Sequence, residues 1–185
     1  GSAWTAGGDL NNSAFGAGGS GSQTAAWVAG TATGQPNPAP QTRTEEYNGA
    51  SWATAPGTLN NGRAYGNGTG PQTDAILAGG GNPPGLQTEQ YDGTSWTNTS
   101  SLPIITERAA MPGGTTPSNS TLIAGGTPVG GSVSATDGTS WYTYPSLATP
   151  RGTQSGAGAG SSASNGMVAG GKNPSTNNTE EFTGE

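Results

Sequence analysis

Thr88-Glu89-Gln90-Tyr91-Asp92-Gly93-Thr94-Ser95-Trp96 is the stretch on which the fold turns, because the chain repeats it. Thr44-Glu45-Glu46-Tyr47-Asn48-Gly49 leads to Trp52, and Asp137-Gly138-Thr139-Ser140 leads to Trp141. Thr179-Glu180-Glu181-Phe182-Thr183-Gly184 gives the phrase once more without its tryptophan. Trp4, Trp52, Trp96 and Trp141 each close a Gly-x-x-Trp phrase, at spacings of 48, 44 and 45 residues. A period in this range with one aromatic per copy describes an array of equivalent units, a solenoid or a propeller.

Upstream of the tyrosine, each copy carries a short apolar run. These are Ala26-Trp27-Val28-Ala29-Gly30, Ala75-Ile76-Leu77-Ala78-Gly79-Gly80, Thr121-Leu122-Ile123-Ala124-Gly125-Gly126 and Gly166-Met167-Val168-Ala169-Gly170-Gly171. Continuous apolar runs of this length, bounded by turn residues, read as strands covered on both faces. The segments on either side of Asp92-Gly93 alternate in polarity. Asp-Gly and Asn-Gly are strong hairpin signals because both central positions of a type I′ turn take positive φ, and the signal returns at Asn48-Gly49 and Asp137-Gly138. A glycine-rich stretch precedes each apolar run, and no window carries a helical stripe. The expected class is all-β, with four short strands per unit. The third copy is degenerate, with Ser134 and Thr136 where the others have Glu and an aromatic.

Composition narrows the function classes. With 35 Gly, 14 Pro and 9% charged residues the chain has the composition of a linker, yet its Trp, Tyr, Val, Ile and Leu residues fall at fixed offsets, which a disordered chain lacks. The glycines have no period of three, which excludes collagen. Without cysteine or histidine there is no disulfide, no thiolate and no imidazole for metal binding or base catalysis. A net charge of −6 with five cations supplies no basic cluster, so no nucleic-acid partner is expected. No apolar run approaches the roughly 20 residues that span a bilayer, so no membrane insertion is expected. No cofactor, metal or catalytic residue is expected either.

Ala78-Gly79-Gly80, Tyr91, Trp96, Leu102-Pro103 and Arg108 follow one another as in the kelch repeat, and over nearly its whole length the chain resembles that family of β-propeller blades. It departs from the pattern at Thr31, where a second glycine is missing, and at Thr136, where the tyrosine is missing. Through the phrase ending at Trp52 it also resembles repeats of phage and environmental microbial surface proteins. The resemblance implies blades of four antiparallel strands with the glycine-rich strand innermost. Small residues such as Gly16, Gly66, Gly156 and Gly158 suit strands crowded about an axis. Trp4, Trp52, Trp96 and Trp141, with Tyr47, Tyr91 and Phe182, are expected as structural anchors filling the space between blades. Trp27 is expected to fill a blade gap rather than to bind a sugar.

Gly1-Ser2-Ala3-Trp4 is the second half of the phrase whose first half is Glu180-Glu181-Phe182-Thr183-Gly184. The expected architecture is therefore a four-bladed kelch-like β-propeller in one domain, 1–185, with units at 7–52, 53–96, 97–141 and 142–185 plus 1–6. It closes by pairing the N- and C-terminal strands, which leaves no open edge. A piece of a longer array is the alternative.

Arg63, Arg108 and Arg151 share one repeat position, with Ser13 in the fourth. On a closed ring they gather at one mouth, where three guanidinium groups hold an anion such as sulfate or a sugar acid. The competing reading, which is preferred, is a salt bridge or carbonyl contact within the fold. Kelch-type propellers include a copper radical oxidase, but its site needs His and a Cys-linked Tyr. Glu45-Glu46 and Glu180-Glu181 are paired carboxylates of the kind glycoside chemistry uses, but adjacent strand residues point to opposite faces, so no enzyme is expected.

Thr, Ser, Asn, Gln and Gly take the place of the charged skin of an ordinary soluble domain, in which about a quarter of residues are charged. The reading drawn from this is a noncatalytic structural propeller subunit of a virion fibre or extracellular tube. It would lie outside the cell or on the virion surface and associate with other copies of itself through loops and blade edges. The alternative is a receptor- or glycan-binding adhesin whose specificity lies in the Pro-rich loops 34–40 and 81–85.

Overall fold

The computed structural model describes residues 3–33, 39–81, 85–113, 119–152, 157–172 and 175–184. Most of the two Pro-rich loops, together with Gly156 and residues 1–2, lies outside these.

Among the described residues the chain is all-β and antiparallel, without a helix. The first sheet has the order β1 (Gly18–Ser22), β2 (Ala25–Ala29), β5 (Thr44–Tyr47), β6 (Trp52–Thr54), with a small ribbon of β3 (Ala32–Thr33) and β4 (Ala39–Pro40) beside it. The second runs β7 (Asn67–Thr69), β8 (Ala75–Ala78), β9 (Thr88–Tyr91), β10 (Trp96–Asn98). The third holds β11 (Thr121–Ala124), β12 (Val133–Thr136) and β13 (Trp141–Tyr144), and isolated bridges from Ala110 to Ala124 and from Gly113 to Thr121 lie along the edge of β11. The fourth holds β14 (Ala157–Ser162), β15 (Asn165–Ala169) and β16 (Thr179–Thr183). Each of these four sheets draws on one sequence repeat, but the expected four strands per unit stand only in the first two, and the third and fourth have three among the described residues. The apolar runs form β2, β8, β11 and β15, and β8 and β11 are buried at every residue, as strands covered on both faces must be.

The hairpins differ from the expected type I′ turns. Only the glycine has positive φ (Gly49 +92°, Gly93 +92°, Gly138 +89°). Tyr91 pairs with Trp96 and the Asp92 N–H donates to the Ser95 carbonyl, so the centre of the turn is Gly93-Thr94, one residue later than read from the sequence. The reason is the side chain before the glycine. The Asp92 carboxylate accepts the N–H groups of Thr94 and Ser95 at 2.8 Å each, and Asn48 and Asp137 do the same in their hairpins. These donors, that of Ser95 first, hold the Asp92 carboxyl below its usual value, and those of Ser140 and Thr139 act likewise on Asp137.

Successive sheets are joined by aromatic side chains. Trp96 on β10 lies over the first sheet, 5.5 Å from the Trp27 ring, and its indole N–H donates to Thr44 Oγ1 at 2.8 Å. Trp27 in turn donates to the Gly70 carbonyl of the second sheet at 2.9 Å. Trp141 repeats the arrangement one sheet on, packing with Ile76, Ala78 and Leu102. On the opposite side β1 and β7 meet closely. A Cβ on Gly68 would stand 2.7 Å from Trp27 Cη2 and 3.0 Å from the Gly19 nitrogen, so this inner strand has no room for a side chain.

The expected pairing of the terminal strands is not formed. β16 pairs with β15 alone, and residues 3–6 form no strand. They run beside Gln23, Thr24, Tyr47 and Gly49 of the first sheet, with Trp4 fully exposed. Gly8 explains that course: it sits against the Ala50 carbonyl and Ser51, as Gly57 sits against Thr94 and Ser95, which ties the segment to the first sheet's hairpin.

Trp96→Ala is expected to lower the unfolding free energy by about 3–5 kcal/mol, as large aromatic truncations in cores do. Trp52, half-buried and packed on Tyr47, is expected to lose distinctly less. Urea denaturation of both variants measures the difference, and equal losses would show that the neighbouring sheet is not what holds Trp96.

Candidate functional site

The charged groups fall into one repeated construction. Glu89 on β9 accepts hydrogen bonds from the Asn60 backbone N–H at 2.7 Å, from Asn60 Nδ2 at 2.9 Å and from Arg63 Nη2. Arg63 also donates from Nη1 to the carbonyls of Gln87 at 2.7 Å and Gly79 at 3.3 Å. Both side chains are fully buried. Burial draws the Arg63 guanidinium below its usual value while the Glu89 charge and hydrogen bond push it back.

Glu180 on β16 has the same surroundings. It accepts from the N–H groups of Ala148 at 2.7 Å and Thr149 at 3.2 Å and from Arg151, which also donates to the carbonyls of Gly170 and Asn178. Desolvation pulls its carboxyl upward, but the Arg151 hydrogen bond and the two backbone donors outweigh that and leave it below its usual value. In the first sheet Ser13 stands at the arginine position, and Arg43, just ahead of β5, reaches the equivalent carboxylate two residues on. Arg43 Nε lies 3.3 Å from Glu45 Oε1, and Asn11 donates to Glu45 Oε2 as Asn60 does to Glu89.

Arg63, Arg108 and Arg151 are therefore not gathered at one mouth. A carboxylate ahead in the same unit takes Arg63 and Arg151 into the fold. Arg108 has Ser134 where that carboxylate stands and turns the other way. Its guanidinium carbon lies 3.8 Å above the Tyr65 ring, with Nη1 3.0 Å from Glu107 Oε1, and it keeps partial exposure. Among the described residues, Arg108 and Tyr65 are the two non-glycine residues with positive φ, +54° and +58°, a conformation that costs side-chain-bearing residues energy. The Arg108 N–H donates to the Tyr65 carbonyl and the Tyr65 N–H to that of Gly16, which holds them there.

This group borders a recess of about 470 Å³ at one end of β1 and β7, lined by Phe15, Gly18, Tyr65, Gly68, Arg108 and Met111. Phe15 stands edge-on to Tyr65 at 5.5 Å. Two aromatic rings, a guanidinium with a carboxylate beside it, and a glycine floor offer stacking and hydrogen bonding to a small polar ring. At the other end of the same strands, residues of all four repeats line a second recess, among them Ser20, Thr69, Gly113 and Gly160. Trp27 is fully buried between sheets and lines neither recess.

The paired carboxylates are separated by the pleat. Glu45 meets Asn11 and Arg43, whereas Glu46 is turned to Tyr91, whose hydroxyl is pushed up by burial and by that carboxylate. Among the described residues no group of three His, Cys, Asp or Glu side chains is placed to hold a metal ion. No helix among them is long and apolar enough to cross a membrane.

The asparagines that cap the carboxylates, and the stand-in arginine Arg43, are not evident from the aligned repeats. A signal exists in the tripeptides Leu10-Asn11-Asn12 and Leu59-Asn60-Asn61, which recur ahead of the arginine position. Phe15 and Tyr65 likewise share one repeat position. No protein-family model matches the chain, and no curated protein matches it significantly.

Glu89→Ala leaves Arg63 buried and unpaired and is expected to cost about 3–5 kcal/mol, whereas Arg108→Ala, at a partly exposed pair, is expected to cost less than about 1 kcal/mol. Chemical denaturation of the two variants checks the contrast. Glu180 has a depressed pKa, so its contribution is complete above the ordinary carboxylate value of 4.5 and fades as pH falls through the lower folded value. The stability gap between the unmodified protein and Glu180→Gln is expected to narrow on acidification through that window. A gap that stays constant would remove Glu180 from the acid response.

Proposed function

We propose that the chain is a noncatalytic structural module, a four-bladed kelch-like propeller that forms part of a virion fibre or extracellular tube and associates with further copies of itself. The observation that carries this reading is where the charge goes. Four of the five cations, Arg43, Arg63, Arg108 and Arg151, are bound in ion pairs within the fold. The outer skin that remains is mainly Thr, Ser, Asn and Gly with scattered carboxylates such as Asp9, Asp92, Asp137 and Glu181, and this low charge density lets copies approach one another even at a net charge of −6. The propeller arrangement is supported by the repeat-to-sheet correspondence, by the aromatic contacts that step from each sheet to the next, and by the recess to which all four repeats contribute.

A second reading, a glycan-binding adhesin, is favoured by the recess at Arg108, Tyr65 and Phe15. Its composition fits a sugar acid, with the ring on an aromatic face and the carboxylate on the guanidinium.

Sedimentation across a range of concentrations, with electron microscopy of the same samples, tests the first reading. Extended assemblies growing with concentration are expected. A monomer that is retained on a sugar-acid array, and released by Arg108→Ala, would replace it with the second.

A further inference from the structure

One difference among the four sheets concerns the tryptophan that follows the tyrosine position. In the first three, the strand after the tyrosine position brings a tryptophan: Trp52 opposite Tyr47, Trp96 opposite Tyr91 and Trp141 opposite Thr136. Trp96 and Trp141 then lie on the apolar strand of the sheet before, on the faces made by Trp27 with Ala29 and by Ile76 with Ala78. Leu122 and Ala124 of β11 hold the same positions in the third sheet. The space in front of them is a mainly apolar cavity of about 150 Å³, bordered by Leu122, Ala124, Val133, Val168 and Phe182, with Glu180 and Glu181 also lining it. An apolar cavity of about this volume takes an aromatic ring. Beside it β16 has no strand on its outer side among the described residues, and Phe182 packs edge-on with Tyr144 at 5.2 Å, where Tyr91 stacks on its own tryptophan at 4.9 Å.

The group of matching shape is on the same chain. Trp4 closes a Gly-x-x-Trp phrase like the other three and is fully exposed, on a segment that runs beside the first sheet. We propose that residues 3–6 of a second copy add to the outer edge of β16, placing that copy's Trp4 in the cavity opposite Phe182. This rests on the self-association reading above and names its contact. The register follows from the second sheet, where Gln90 faces Thr97 as Tyr91 faces Trp96, so Glu181 comes opposite Thr5. Backbone hydrogen bonds along the edge hold the strand, and the indole fixes its register. Donor and acceptor are different surfaces of one molecule, so the contact is heterologous. Each copy that accepts a strand still offers one, and the assembly extends.

The chain has no cysteine, so two introduced thiols report on this contact alone. Facing residues of an antiparallel pair have Cα atoms about 4.5–5.5 Å apart, within reach of a disulfide. Mixing Thr5→Cys with Glu181→Cys under mild oxidation is expected to give a disulfide-linked dimer of one copy of each. Trp4→Ala, at an exposed position, is expected to fold normally and to bring the mass in solution from twice the monomer value or more down to that of the monomer. Absence of the mixed disulfide overturns the proposal, as does an internal disulfide in a monomeric Thr5→Cys/Glu181→Cys chain, which would show the strand closing on its own sheet. Assembly that persists in Trp4→Ala overturns this contact and leaves self-association standing. A chain that is monomeric at every concentration overturns both.

Discussion

Trp96 and Trp141 pack across onto the sheet before their own, and the rest of the structure depends on that displacement. Each sheet is too small to bury its apolar strand alone, which is the general condition of a repeat unit. Trp96 covers Trp27 and reaches Thr44 with its N–H, and Trp141 covers Ile76 and Ala78. The core is consequently a chain of neighbouring contacts rather than one central cluster, and three separate apolar clusters follow the sheets. The inner strands approach within the space of a Cβ, so the glycines that make the composition resemble a linker are required by the packing.

Within the first, second and fourth sheets, position is kept by charge instead. A buried arginine joins three separate backbone stretches: Arg63 reaches the carbonyls of Gly79 and Gln87 and the carboxylate of Glu89, whose other acceptor sites are taken by Asn60. Such a pair gives little net stability against an apolar replacement, but removing one partner is costly, so it enforces one register of the connecting segments. Either partner can be missing. Where the arginine position holds Ser13, Arg43, just ahead of β5, meets Glu45, and where the carboxylate position holds Ser134, Arg108 is left without that pair.

The all-β class and the apolar strands are legible because they rest on period and pattern, which a repeat displays several times over. Asp-Gly alone puts the turns one residue early, since it signals a turn with two positive-φ residues, and the local hydrogen bonds from Thr94 and Ser95 to the Asp92 side chain override it. The terminal pairing was inferred from two half-phrases. That inference carries which sequences match, but not which copy of the strand does the matching, and Trp4 lies on the first sheet. The fate of the arginines was only half legible. Aligning the repeats shows Arg63, Arg108 and Arg151 as equivalents, yet the partner that separates them is Ser134, some two dozen residues away in a copy that looks merely degenerate.

That degeneracy is where the chain departs from pure scaffolding. A repeat position that keeps its partner is consumed by the fold, as Arg63 and Arg151 are, both with side chains at zero exposure. Losing the partner releases the residue: Arg108, without a glutamate at 134, turns onto Tyr65 at a recess facing solvent and takes up a backbone conformation that the pattern alone does not require. Trp4 is released in the same sense, exposed and outside any strand, while the fourth sheet carries a cavity at the place its equivalents fill elsewhere. In an array whose regular positions are all occupied by mutual support, capacity to bind anything else falls to the irregular ones. On the readings proposed above, Arg108 would meet a small polar ligand, and Trp4 with β16 another copy of the chain.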